Sequence, residues 1–166
     1  TRKECAVFIG AWDGDRRRIE WELGDYIRPR EQDGSLCELT TAELKDGAIL
    51  GIMRASPTDG PGKAWCLSRD GGRTWSETRR LTYDDGQPHY SPSSISRLIR
   101  NSRNGKLYFI DNVLPIRADM YADMPGNLQR SVLQIAEVNE DNCGIRKQTM
   151  AVIDESKDPE RPYEYS

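Results

Sequence analysis

The sequence predicts an all-β protein made of short antiparallel strands. Its apolar runs are short, are rich in β-branched and aromatic residues, and are interrupted at close intervals by Gly, Asp, Asn and Pro. No long window keeps the apolar period of about 3.6 residues that an amphipathic helix requires. A turn-and-strand pattern also occurs twice along the chain, which is typical of repeat architectures. The predicted strands lie in the apolar runs at residues 6–12, 19–23, 48–53, 64–67, 107–110 and 132–138.

The repeated pattern is a glycine turn followed by an apolar strand. An Asp-Gly turn ending at Gly47 opens a strand that runs to Arg54, and an Asn-Gly turn ending at Gly105 opens a strand that runs to Asn112, 58 positions later. Further short strands follow each copy. We therefore predict two four-stranded antiparallel meanders, the building units of a β-propeller.

The predicted domain organisation is a single partial propeller covering residues 1–166. With about 40 to 50 residues per blade, the chain holds about two and a half to three blades, whereas propellers close with about four to eight. The missing blades would come from a longer parent chain or from a second chain. The predicted parts are the outer strands of one blade (1–28), a blade (36–82), the next blade (92–154) and the start of a following blade (155–166).

Composition and charge exclude several function classes. The chain has 36% hydrophobic and 31% charged residues, which is ordinary for a soluble globular fold. Its net charge is −3 and its 24 basic residues are scattered, which argues against a nucleic-acid partner. No apolar run approaches the ~20 residues that cross a bilayer, so no membrane span is predicted. A secreted or periplasmic location stays open.

Metal and cofactor chemistry is not expected from this sequence. The single histidine, His89, leaves too few ligands for most zinc sites and weakens any triad that needs a histidine base. The cysteines show no C-x-x-C spacing, and three lie in apolar runs, so buried free thiols are favoured over disulfides. The four cysteines are Cys5, Cys37, Cys66 and Cys143. Catalysis would have to use carboxylates, tyrosines or arginines.

The segment from Ser68 to Trp75 reads S-R-D-G-G-R-T-W and fits the pattern S-x-D-x-G-x-T-W. It resembles the Asp box, or BNR repeat, of the sialidase superfamily, and this resemblance implies a propeller, most simply one of six blades. Asp70 can accept backbone N–H groups of its own turn, Gly72 permits a positive φ, and the tryptophan supplies an apolar plug. We expect a structural role for Ser68, Asp70, Gly72, Thr74 and Trp75.

A second resemblance concerns the segment from Glu38 to Arg54. It is similar to the sialidase stretch E-x-x-x-x-E-L-x-D-G followed after six residues by R. The resemblance implies that Glu38 is the base that activates a tyrosine nucleophile and that Arg54 binds the substrate carboxylate. Both residues lie eight positions from Asp46. With an odd-numbered hairpin loop they would face each other on one side of the sheet, and with a two-residue loop they would not.

Two further residues are assigned by looser resemblance. Arg130 opens a predicted strand at the place where sialidases carry another arginine of their carboxylate-binding triad. Tyr165, followed by Ser166, resembles the Tyr-Ser pair around the nucleophilic tyrosine of the family. The alternative is that Tyr163 and Tyr165 only pack beneath a strand.

The resemblance implies a sialidase-like glycoside hydrolase fragment acting on terminal sialic acid or a related anionic sugar. A tyrosine nucleophile avoids the repulsion between a carboxylate and the substrate's own carboxylate, and a glutamate must then take the phenol proton. The arginine of the family's R-I-P motif and its acidic Asp have no counterpart here, so we expect the chain alone to be inactive. The alternatives are a non-catalytic BNR-repeat protein that binds glycans and a propeller that binds protein partners.

Overall fold

The structure is a computed structural model that describes residues 2–56, 62–114 and 130–155. The described residues form antiparallel sheets and two short 3-10 turns, with no α-helix among them, so the all-β prediction is confirmed. The strands are β1 (Phe8–Asp13), β2 (Arg18–Leu23), β3 (Leu36–Glu43), β4 (Ile49–Ala55), β5 (Lys63–Ser68), β6 (Arg79–Arg80), β7 (Arg97–Arg100), β8 (Leu107–Asp111), β9 (Val132–Asn139), β10 (Gly144–Ile145) and β11 (Ala151–Glu155).

Strands β1 and β2 form a two-stranded ribbon near the N-terminus. Cross-strand partners share a face of a sheet, and Phe8 pairs with Leu23 and Trp12 with Ile19. All four of these apolar side chains are exposed. One face of the ribbon is therefore apolar and uncovered by any described residue.

The first sheet is a meander in the strand order β3-β4-β5-β6. Its fourth strand is short and begins only at Arg79, well after β5 ends at Ser68. The reason is the turn after β5, which extends to Ser76, where a backbone N–H donates to Leu67 O at 2.8 Å. The chain must leave this turn before it can pair with β5 again.

The second sheet is also a meander, with a divided fourth position. Strands β7, β8 and β9 pair in order, and both β10 and β11 pair with the outer edge of β9. A 3-10 turn at Lys147–Thr149 separates β10 from β11, and a register shift lies between Val152 and Asp154. Strand β9 begins at Val132, so Arg130 lies in the turn before it.

The largest core cluster lies between the two sheets. Apolar side chains of β4 and β5 in the first sheet pack against those of β7, β8 and β9 in the second. A hydrogen bond from Leu98 N to Thr40 Oγ1 at 3.1 Å also links β7 to β3. A second cluster covers the other face of the first sheet and includes Ile27 and Trp75. The first sheet is thus buried on both faces.

The cysteines are all free thiols. Cys5, Cys66 and Cys143 are buried, and Cys37 is half-buried. Burial raises the pKa of Cys5 and of Cys143 to about 11 and that of Cys66 to about 12. These three thiols therefore stay protonated at neutral pH and act as small apolar core residues.

Candidate anion-binding site

Glu38 and Arg54 form an ion pair at the open end of the β3–β4 hairpin. Nη1 of Arg54 donates to Oε1 of Glu38 at 3.0 Å and to Oε2 at 3.2 Å. The side chains are 30% exposed for Arg54 and 32% for Glu38. The structure therefore brings these two candidate residues together at a place that a solute can reach.

The length of the hairpin loop determines how Glu38 on β3 and Arg54 on β4 are aligned across the two strands. Glu43 pairs with Ile49, and the loop is centred on Asp46, so it has an odd number of residues. In an unbroken ladder, this register would place Glu38 directly opposite Arg54. The prediction that an odd-numbered loop puts both on one side rested on such an unbroken ladder.

A β-bulge changes the pairing near the open end. Cys37, not Glu38, is the partner of Arg54, because the register shifts between Cys37 and Thr40. Glu38 has a φ of 54°, in the left-handed region that residues other than glycine rarely adopt. The ion pair shows that this conformation directs the Glu38 carboxylate to Arg54 although the two residues are not ladder partners.

Arg130 reaches the same place from the second sheet. Its Nη2 donates to the backbone O of Ser93 at 2.5 Å, and Nε of Arg54 donates to Ser93 Oγ at 2.5 Å. The backbone before β9 is held by Asn112, whose Nδ2 donates to O of Val132 at 2.8 Å and to O of Arg130 at 3.4 Å. Ser93 therefore links the two arginines.

A buried ion pair lies beside these residues and was not identified from the sequence. Nζ of Lys63 lies 3.3 Å from Oδ1 of Asp111, and neither side chain is exposed. Lys63 is also the ladder partner of Arg54. Its sequence signal was a lysine opening an apolar strand and an aspartate ending another, positions where an isolated charge would be costly to bury.

The cluster of Glu38, Arg54 and Arg130 is suited to binding an anion. Two guanidinium groups present planar sets of donors whose geometry suits the oxygens of a carboxylate. The carboxylate of Glu38 lies within the same cluster and can accept a proton or a hydrogen bond. The arrangement can therefore bind a negatively charged group, and Glu38 provides one acid–base group beside it.

The segment from Ser68 to Trp75 lies at the far end of β5 from Lys63 and the arginine cluster. Asp70 accepts from Thr74 N at 2.9 Å, from Thr74 Oγ1 at 2.6 Å and from Ser68 Oγ at 2.8 Å. The bonds from Thr74, followed by that from Ser68, lower the pKa of Asp70 to about 2. Gly72 has a φ of 91°, and Trp75 Nε1 donates to its carbonyl at 3.2 Å.

This turn also anchors the N-terminal segment. Asp25 N donates to Arg73 O at 2.8 Å, and Arg73 Nη2 lies 2.9 Å from Glu22 Oε2. Gly24 approaches so closely that a Cβ there would lie 2.5 Å from the carbonyl oxygen of Gly72. These contacts are structural, and no group in them faces the arginine cluster.

A cleft of about 310 Å³ lies at the opposite end of the two sheets, where the hairpin turns are. Several of its charged residues already pair with charges in or beside the cleft. Glu140 lies 2.7 Å from Arg100 and 3.6 Å from Lys45, and Asp46 lies 3.0 Å from Arg69. We therefore assign this end to contacts between the sheets, and the candidate site to the open end.

Some expectations fall on parts of the chain outside the described residues. Tyr163 and Tyr165 both lie there, so the proposed nucleophile has no structural account. Within the described ranges, no group of three or more His, Cys, Asp or Glu side chains could hold a metal ion. Nor does any helix in those ranges have the length and apolar character to span a membrane.

No family model and no curated protein sequence matches the chain. Two solved structures are similar in fold. One is a protein of unknown function from Dyadobacter fermentans DSM 18053, with 14% identity, a TM-score of 0.50, and coverage of 83% of this chain and 35% of that one. The other is an N-acetylgalactosamine deacetylase from F. plautii in complex with blood group B trisaccharide, with 12% identity, a TM-score of 0.50, and coverage of 81% and 35%. The chain thus spans about a third of either neighbour.

Proposed function

We propose that Glu38, Arg54 and Arg130 bind the carboxylate of an anionic sugar, and that the chain is part of a sialidase-like glycoside hydrolase. The observation that carries this proposal is the convergence on Ser93 of two arginines, Arg54 from the first sheet and Arg130 from the turn that precedes β9 of the second. An arginine pair held in this way matches the two oxygens of a carboxylate. The fold neighbour in complex with a blood group trisaccharide supports a glycan as the ligand class.

We also propose that the two sheets are adjacent blades of a partial β-propeller. A four-stranded and a five-stranded meander packed face to face support this, as does the ribbon beyond the first sheet. Large apolar side chains are uncovered on the ribbon and on the second sheet, among them Trp21 and Val152. In a propeller, further blades would cover such faces.

In the proposed reaction, Tyr165 attacks the anomeric carbon and passes its phenol proton to Glu38. The bond from that carbon to the glycosidic oxygen breaks, and the aglycone leaves with a proton from the acidic Asp of the family pattern, which a longer parent chain would supply. The phenol has a pKa near 10, so a neighbouring base must remove the proton as the bond forms. Arg54 and Arg130 hold the substrate carboxylate and so fix the sugar ring against the nucleophile. Because the acidic Asp and one further arginine of the family pattern have no counterpart, we expect no turnover by the chain alone.

A non-catalytic glycan-binding protein is the second candidate. Both carboxylate oxygens of Glu38 accept hydrogen bonds from Nη1 of Arg54. A glutamate held in this way orients the arginine, which favours a binding role over that of a base. The two candidates share the ligand and differ in the role of Glu38.

Binding is tested by titrating the full chain with N-acetylneuraminate and following the Nε–Hε signals of the arginines by NMR. Arg54→Ala should weaken binding about 10- to 100-fold, the usual value of one or two charged hydrogen bonds. Arg54→Lys should restore part of the affinity, and Arg69→Ala, at the hairpin end, is the control. Binding that is equal in wild type and Arg54→Ala would place the anion site elsewhere.

Turnover separates the two candidates. Glu38→Gln keeps the size of the side chain and removes its basicity, so binding of N-acetylneuraminate should change by only a few-fold. In a longer form of the protein that releases methylumbelliferone from a sialoside, Glu38→Gln should abolish release. If release stays at the wild-type rate, Glu38 is not the base.

A further inference from the structure

Both members of the buried pair Lys63–Asp111 form hydrogen bonds with one short turn, residues 91–94. Nζ of Lys63 donates to O of Pro92 at 3.2 Å, to Oγ of Ser94 at 3.3 Å and, at shorter range, to O of Ser94. Oδ2 of Asp111 accepts from Ser91 Oγ at 2.5 Å, and its Oδ1 accepts from Ser94 Oγ at 3.3 Å.

The members of this pair come from different sheets. Lys63 opens β5 in the first sheet, and Asp111 ends β8 in the second. The turn that they hold is therefore fixed relative to both sheets at once. Ser93, within the turn, contacts Arg54 of the first sheet and Arg130 in the turn that leads into β9 of the second.

Burying these two charged groups costs free energy, because both lose their hydration. Loss of hydration lowers the pKa of Lys63 and raises that of Asp111, whereas each charge acts in the opposite direction on its partner. A buried ion pair often gives no more stability than two apolar side chains of similar volume. Core stability alone therefore does not account for a pair at this position.

We propose that Lys63 and Asp111 are positioning residues that set the separation of the two site arginines through Ser93. Ser93 Oγ fixes the Nε of Arg54, and its backbone O fixes the Nη2 of Arg130, so both guanidinium groups are oriented before an anion arrives. Such orientation raises affinity because the ligand need not order the side chains. This inference rests on the proposed anion site.

The main test replaces the pair by apolar residues, Lys63→Met together with Asp111→Leu. The double substitution removes every hydrogen bond from the pair to the turn without leaving an unpaired buried charge. We expect a folded protein with a lower melting temperature, because the buried hydroxyls of Ser91 and Ser94 lose their carboxylate partner, and at least about 10-fold weaker binding of N-acetylneuraminate. The matched control is Arg100→Met with Glu140→Leu at the hairpin end, which should keep wild-type affinity.

A ligand-free measurement separates this inference from the proposed function. In wild type, the Nε–H of Arg54 is donated to Ser93 Oγ and should exchange slowly with solvent; in the double variant it should exchange faster. Faster exchange in a chain that does not bind N-acetylneuraminate would leave the positioning role standing and reject the proposed function. Unchanged exchange and affinity in the folded double variant would show that the pair is only structural.

Ser91→Ala provides a second route if the double variant does not fold. It removes one bond from the turn to Asp111 and touches neither arginine. We expect about a threefold loss of affinity and faster exchange of the Arg54 Nε–H. Wild-type values for both would overturn the proposal.

Discussion

Among the described residues, the first sheet is covered on both of its faces, whereas the second is covered on only one. In the first sheet, Leu50 and Ile52 face the second sheet and Met53 faces the opposite cluster, all with no exposed area. In the second sheet, Phe109 is buried, but Ile99, on the other face, is 48% exposed. The same meander therefore has two different environments within one chain.

The second sheet and the ribbon therefore present exposed apolar surfaces on either side of the first sheet, which is itself covered on both faces. Ribbon side chains such as Trp12 and Trp21 are 67% and 65% exposed, which is unusual for tryptophan in a globular protein. The first sheet is also the one that carries Glu38 and Arg54. We infer that the covered sheet is the rigid part of the candidate site.

The largest expected effect of a substitution comes from the interface between the sheets. Leu50→Ala should lower the free energy of unfolding by about 2 to 5 kcal/mol, because it leaves a cavity in a packed core. Ile99→Ala should cost less than about 1 kcal/mol, because that side chain is half exposed. Urea denaturation of both variants measures the difference. Equal losses would mean that the open face of the second sheet is covered in solution.

Acidification should weaken the same interface through His89. This side chain is fully buried between Tyr83 and Phe109, and burial, followed by the charges of Lys63 and Arg80, lowers its pKa from 6.5 to about 3. The unfolded chain therefore takes up a proton first. Stability is complete above about pH 6.5 and falls as the pH drops toward 3, by about 1.4 kcal/mol per unit.

The control for this pH dependence is His89→Phe, which keeps an aromatic ring and removes the titration. Between pH 7 and pH 5, wild type should lose about 2 kcal/mol more of its free energy of unfolding than the variant does. Urea denaturation at both pH values is the measurement. The same slope in both proteins would show that His89 takes up its proton while folded.

The smallest of the three expected effects is a difference in the free energy of unfolding between two substitutions, one in each of two corresponding turns of the sheets. Ser68→Ala should cost about 1 to 3 kcal/mol, since the buried N–H of Gly72 loses its acceptor at 2.8 Å. Asn139→Ala should cost less than about 1 kcal/mol, because among the described residues its side chain accepts only from the exposed Asp141 N, at 3.1 Å. Thermal unfolding distinguishes the two. A larger loss of stability for Asn139→Ala than for Ser68→Ala would contradict this ranking of the two turns.

Most of the strand order was accessible from the sequence because strands and turns leave short-range patterns. The turns at Gly47 and Gly105, with φ of 82° and 68°, were predicted from Asp-Gly and Asn-Gly pairs. The eight-residue spacing about Asp46 placed Glu38 and Arg54 at the same end of one hairpin. Strand ends were less accurate: Arg130 was expected to open β9, but the strand begins at Val132, and the backbone O of Arg130 accepts from Asn112 Nδ2 instead.

The sequence by itself determined that the chain is all-β, that its sheets are built from a repeated hairpin, and that two candidate residues share an end of one hairpin. Only the tertiary structure decided the bulge that turns Glu38 toward Arg54, the meeting of both arginines at Ser93, and the buried Lys63–Asp111 pair. Turns and alternation are encoded by neighbouring residues. A register shift or a contact between sheets depends on how distant side chains share space, and short-range patterns carry no record of it.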